Sequence, residues 1–195
     1  CPLLSTPLAF NTDAASIPAS QSYLRSDSTK VAEWEQILGA KTKPRVGLVW
    51  SGNADHVNDH NRSIALSALL AALPYAFEYV SLQKEVRASD TQALESNGCI
   101  RHFGDALKDF GDTAALCECM DLVISVDTSV AHLSAALGKQ TWILLPHVPD
   151  WRWLLDRDDS PWYPSARLYR QTEAREWSSV LGRVATDLAS HFPNT

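Results

Sequence analysis

The sequence has no excess of basic side chains. Seventeen Lys and Arg stand against 23 Asp and Glu, giving a net charge of -6 over 195 residues and a pI near 5.4. A nucleic-acid surface needs a basic patch, so this balance argues against a nucleic-acid partner. It leaves room for a small anionic ligand held by a few local donors. Cysteines are few: Cys1, Cys99, Cys117 and Cys119, with no C-x-x-C spacing and no His pair to complete a zinc set. Free thiols in a reducing, cytoplasmic compartment are the expectation. No apolar stretch reaches the roughly 20 residues of a spanning helix, so no membrane-spanning segment is expected. The opening "CPLLSTPLAF" has no basic leader, and it begins with Cys where an intact chain would begin with Met. A processed or partial product lacking a signal peptide is the reading this supports. Neither G-x-G-x-x-G nor G-x-x-x-x-G-K-[ST] occurs, which removes support for dinucleotide and P-loop readings. No repeat of fixed period is present either.

What the chain does have is a globular composition, 45% apolar, and a regular alternation of patterns. Residues 1–29, rich in Pro, Ser, Thr and Ala, read as an extended linker. A helix over 28–40 follows, with Ser28 as N-cap, an apolar face of Val31, Trp34, Ile37 and Leu38, and Gly39 as its stop. Apolar β-rich runs at 45–50, 77–83, 100–104, 121–126, 141–146 and 166–171 predict strands. Helical patterns at 66–73, 91–98, 112–120 (with Asp112 as cap), 129–138 and 174–192 fall between and after them. This rhythm means βαβ units. The expected fold is therefore α/β, a doubly wound, Rossmann-like parallel sheet occupying 30–195.

Ligands of such sheets bind beyond the carboxyl ends of the strands, and the loops there are polar. After the first strand, "SGNADHVNDHNRS" (51–63) carries Ser51, Gly52 and Asn53, with Arg62 as the best phosphate candidate. After the second comes Lys84, placed to meet a diphosphate. After 121–126, "DTSVAH" opens a helix. Its N-terminal N–H groups and partial positive charge make an anion site to which Thr128 and Ser129 add hydroxyls. Asp127 and His132 frame the same turn, although Asp127 also reads as an N-cap and His132 as an ordinary helix residue. After 141–146, the loop at 147–165 sets Trp151, Trp153, Trp162 and Tyr163 among charges, a surface for a base or sugar ring. The acidic "DRDD" (156–159) is interrupted by Arg157 and reads as a surface turn, so no metal site is assigned.

The segments "VGLVWSGN" (46–53), "YVSLQK" (79–84), "DLVISVDTSVAHLSAALGK" (121–139) and "PDWRWLLDRDDSPWYPSARLYRQ" (149–171) resemble the carboxyl-terminal half of a bacterial glycosyltransferase of the glycosyltransferase-B fold. The group in question carries tetratricopeptide repeats ahead of its catalytic region. It is similar to heptosyltransferases and, more distantly, to O-linked N-acetylglucosamine transferases. The resemblance implies a nucleotide-diphosphate sugar donor, with Lys84 and the Thr128–Ser129 turn at the diphosphate, Asp127 and His132 framing the pocket and the Trp151 loop near the base or sugar. It implies no cofactor, and an acceptor-binding half upstream of Cys1 without which this half is inactive. The chain departs from the pattern at Ala54, Val57 and His60, where Pro, Lys and Arg are expected. No catalytic base is assigned; His56 and His60 are the candidates within the loop. Two other readings stand beside this one: a nucleotide-sugar epimerase of the same fold class, which would need paired carboxylates, and a non-catalytic module with a relic pocket.

Overall fold

The computed structural model describes residue 2 and residues 5–193. Cys1 lies outside them; of the described thiols Cys117 is buried, Cys119 half-buried and Cys99 exposed, all free. In chain order the elements are α1 (Thr6–Ala9), α2 (Ser28–Leu38), β1 (Arg45–Val49), α3 (Asp59–Arg62), α4 (Leu66–Ala72), β2 (Glu78–Ser81), α5 (Ala88–Ser96), β3 (Ile100–His102), α6 (Phe110–Glu118), β4 (Leu122–Val126), α7 (Ser129–Ala136), β5 (Thr141–Leu145), β6 (Ala166–Arg170) and α8 (Trp177–His191).

The six strands form one sheet in the order β3-β2-β1-β4-β5-β6, every neighbouring pair parallel. This is the Rossmann-like α/β fold expected from the strand–helix rhythm. Alternate side chains of each strand feed opposite layers, as the two-residue pleat requires. Leu122, Ile124 and Val126 of β4, with Trp142 and Leu144 of β5, pack with Leu66 and Leu69 of α4 and Val180, Val184 and Leu188 of α8. On the other face, Val80, Leu82 and Val123 meet Trp34, Leu38 and Leu116, while Ile143, Leu145 and Leu168 meet Ala131 and Ala135 of α7. Both faces are covered, which is why the central strands β1, β4 and β5 are buried throughout and nearly continuous in apolar residues.

Several local expectations are corrected. Asp27, not Ser28, caps α2, its carboxylate accepting from the Thr29 N–H at 2.8 Å. Ile37 points to solvent while Trp34 and Leu38 are buried. α6 begins before Asp112: Asp109 is the cap, and Asp112 answers it from the third helical position in a reciprocal capping box. Asp127 is not a cap either, because Thr128 takes that position for α7. Within residues 2–29, α1 forms a short helix, and further on the Tyr23 and Leu24 N–H groups donate to the Ala136 carbonyl at 3.0 and 3.1 Å, laying that stretch against the end of α7.

The sheet order reverses between β1 and β4, whose register sets Val49 opposite Ser125. The chain leaves these two strands in opposite directions, so their carboxyl ends bound a crevice.

Candidate functional site

The β1 loop is shaped by buried polar groups. The Trp50 and Ser51 N–H groups donate to Gln83 Oε1 at 3.2 and 3.0 Å, and Gln83 Nε2 donates to Ser51 Oγ at 3.1 Å and the Glu85 carbonyl at 2.9 Å. Gln83 thus staples the ends of β1 and β2. Asp90, also buried, accepts from the Trp50 indole N–H at 3.0 Å and the Leu66 N–H at 3.1 Å, holding the loop's entry to the start of α4.

Asp59 is buried at the centre of the same loop. It accepts from Ser63 Oγ at 3.0 Å, from Arg62 Nε at 3.3 Å, and from Arg87 Nη2. Burial opposes its charge, but the hydrogen bonds from Arg87 and Ser63 outweigh that and hold its pKa below the ordinary carboxylate value. Arg87 also donates to the Gly52 carbonyl and to Ser63 Oγ, each at 3.1 Å, and its buried Nε has no partner among the described residues. Arg62 Nη1 donates to the Asp127 carbonyl at 3.0 Å, crossing from the β1 loop to the β4 loop.

At the end of β4 the chain turns directly into α7. Thr128 has extended backbone angles and makes no side-chain cap bond. Its hydroxyl pairs with Ser125 Oγ at 3.1 Å. The Ala131 N–H already turns back to the Thr128 carbonyl at 3.1 Å, while the Ser129 and Val130 N–H groups at the start of α7 precede any intrahelical acceptor and carry the positive end of the helix dipole.

Two cavities open at this rim. The larger, about 650 Å³, is lined by Ser51, Gly52, Asn53, Arg62, Lys84, Thr128 and Ser129, together with Arg87 and Lys108; Val49, Leu82, Leu107 and Val130 supply apolar wall, and Asp55, Glu85 and Asp109 also border it. The smaller, about 500 Å³, is lined by Asp127 and His132 with His56, Asn58, Asp150 and Arg152. Arg62, Thr128 and Ser129 line both, so the α7 N-terminus and one guanidinium form the partition. Lys84 is exposed, its Nζ 3.5 Å from the Lys108 carbonyl.

His132 is held on three sides. Its Nδ1 lies 3.0 Å from the Tyr163 hydroxyl, its Nε2 lies 3.8 Å from Asp127 Oδ1, and its ring stacks on Trp153 at 5.0 Å. Burial lowers its pKa and the neighbouring Asp127 raises it in part; the net direction is down.

Of the side chains expected at the site, the ring surface of the loop after β5 is what the structure leaves outside both cavities: Trp151, Trp153, Trp162 and Tyr163 line neither. Trp151 is the most exposed of them. It is 67% exposed, edge-on to Trp162 at 6.4 Å, with Arg152 over its face at 4.9 Å. Two residues on, Trp153 is fully buried and anchors the loop; with one tryptophan turned in, the other faces out. His56 lines the smaller cavity and His60 is exposed on α3. Arg87, Lys108, Gln83 and Asp59 were missed by sequence reasoning. The signal for Arg87 was its place three residues past Lys84 in the same strand-end loop. Among the described residues no group of three or more His, Cys, Asp or Glu could hold a metal ion, and no helix is long and apolar enough to cross a membrane. Arg157 pairs with Asp159 at 2.7 Å in the "DRDD" turn.

No family model matches the chain. It is 27% identical over 186 residues to Protein FlbA of Caulobacter vibrioides (strain ATCC 19089 / CIP 103742 / CB 15), a match covering 90% of this chain and 30% of that protein. The fold is shared with E. coli ADP-heptose lps heptosyltransferase II (TM-score 0.55, 14% identity, 86% of this chain and 52% of that one). It is shared also with a glycosyl transferase family 9 protein from Veillonella parvula DSM 2008 (TM-score 0.54, 9% identity, 90% and 47%). The chain spans under a third of the relative and about half of each solved structure; at these identities the structural likeness is one of fold.

Proposed function

We propose that this chain is the nucleotide-sugar-binding half of a glycosyltransferase. The observation that carries the reading is the partition: Arg62, Thr128 and Ser129 line two cavities at once. A nucleotide sugar has a charged diphosphate between two uncharged ends, and a cationic divide between two cavities matches that order. The diphosphate lies across the α7 N-terminus and Arg62, with Lys84 and Arg87 on the larger side. The nucleoside enters the larger cavity against Val49, Leu82 and Leu107. The sugar enters the smaller one, where Asn58, Asp127 and His132 offer polar contacts.

In the reaction an acceptor hydroxyl attacks the anomeric carbon and loses its proton to a base. The bond from that carbon to the diphosphate oxygen breaks, and the diphosphate leaves with the electron pair. Fixed N–H groups and cations that meet charge as it develops lower the barrier. The acceptor and the base are supplied by a second, acceptor-binding half of the same protein, in keeping with the share of each solved structure that this chain spans.

Calorimetric titration of the protein with UDP, ADP, GDP and their hexose conjugates tests the reading: one nucleotide series binds saturably, and a folded protein that binds none contradicts it. An epimerase also merits a test, because Asp127 and Asp150 line one cavity. Donor incubated without acceptor stays unepimerised if transfer is the reaction.

A further inference from the structure

The smaller cavity is wired to the stretch of chain that precedes the sheet. The Tyr23 and Leu24 N–H groups donate to the Ala136 carbonyl. Gly138, at φ +80, leaves room for the approach: a Cβ there would stand 2.6 Å from the Gln21 carbonyl oxygen. Tyr23 then stacks on Tyr163, centroids 6.4 Å apart and rings 21° from parallel. Tyr163 in turn reaches His132 Nδ1 at 3.0 Å, and His132 lines the cavity beside Asp127.

We infer that Tyr163 is a positioning residue that fixes the Nε2–H tautomer of His132 and aims that N–H into the smaller cavity, with Tyr23 clamping Tyr163 in place. The inference rests on the donor-site reading of that cavity. A neutral imidazole has one donor and one acceptor nitrogen, and the partner of one decides the other. Asp127, a carboxylate that can only accept, faces Nε2 and favours the proton there. That leaves Nδ1 as the acceptor of the Tyr163 O–H. Burial keeps the Tyr163 phenol protonated, so that it has an O–H to donate. Stacking on Trp153 at an interplanar angle of 19° holds the ring in this plane. An N–H so aimed donates to a sugar hydroxyl or to a diphosphate oxygen at the partition. Because its holder leans on Tyr23, the geometry of the donor site depends on how the preceding segment is seated.

The test is His-selective 15N NMR together with nucleotide titration, on wild type, Tyr163→Phe and Tyr23→Ala. Tyr163→Phe keeps the ring and its packing, and Tyr23 is 58% exposed, so both variants retain the fold. Wild-type His132 is expected to show the Nε2–H pattern, and Tyr163→Phe a mixture of tautomers. The affinity gained by a hexose conjugate over its nucleoside diphosphate falls about tenfold in Tyr163→Phe, the scale of one lost hydrogen bond in a closed site, while the diphosphate alone changes within about twofold. Tyr23→Ala shifts the tautomer balance in the same direction. An unchanged His132 spectrum in Tyr163→Phe, or an unchanged sugar increment, overturns the inference and leaves the donor-site reading standing. A wild-type protein that binds no nucleotide overturns the donor-site reading and the inference with it.

Discussion

Gly52 has no side chain at the point where the Arg62 guanidinium lies: a Cβ built on it would stand 2.6 Å from Arg62 Cζ. The bareness of residue 52 is what lets the arginine cross from the β1 loop to the Asp127 carbonyl and sit in the partition between the cavities. Gly52→Ala therefore displaces Arg62. The expected outcome is a loss of nucleoside diphosphate affinity of about tenfold, the weight of one charge-assisted contact, measured by titration, with far-UV circular dichroism unchanged.

Asp59 balances Arg62 and Arg87. Its removal strands two guanidiniums, so Asp59→Ala is expected to destabilise by about 3 kcal/mol, as for other broken buried pairs, measured by urea denaturation.

The same carboxylate gives an acid dependence. Its folded pKa lies below 3.8, so its stabilisation is fully present above that value and is lost as pH falls through the lower, folded one. Asp59→Asn removes this titration, so its urea midpoint should fall less steeply than wild type as the pH drops below about 4; parallel curves would argue against the assignment.

For His132 the sign runs the same way. Burial depresses its folded pKa below 6.5, so the neutral ring is favoured in the fold. Its contribution is present above 6.5 and lost as pH falls through the folded value. An NMR titration of His132 should give a midpoint below 6.5, and donor affinity should be flat from about pH 8 to 6.5.

The two tryptophans of one loop should behave oppositely. Trp151→Ala, at an exposed site outside both cavities, is expected to change stability by less than about 0.5 kcal/mol and nucleotide affinity by less than about twofold. Trp153→Ala removes a fully buried ring and should cost about 3–5 kcal/mol, read by thermal unfolding.

The contrast shows what the sequence makes legible. β1, β4 and β5 are nearly continuous apolar runs because both faces of each are covered, and that pattern needs no knowledge of partners. The Thr128–Ser129 turn is equally plain, since it joins such a strand to a run of small helical residues. Caps were harder: Asp27 stands beside Ser28 and Asp109 three residues before Asp112, and either member of each pair can accept from a helix N–H. α3 was hidden because "DHNR" has no apolar period. Asp59 is buried by charge pairing and not by hydropathy, so no local pattern announces it. Which tryptophan turns inward is set by long-range packing, Trp153 stacking on His132 and lying against Tyr163, which no local pattern announces.

The most direct test of the account follows backbone amides by 1H–15N NMR while the tightest-binding of UDP, ADP and GDP is added. Saturable shifts concentrated at Ser129, Val130 and Gly52 are predicted, because these amides border the partition where the diphosphate should lie. Shifts confined to another part of the molecule, or none with any of the three nucleotides, would contradict it.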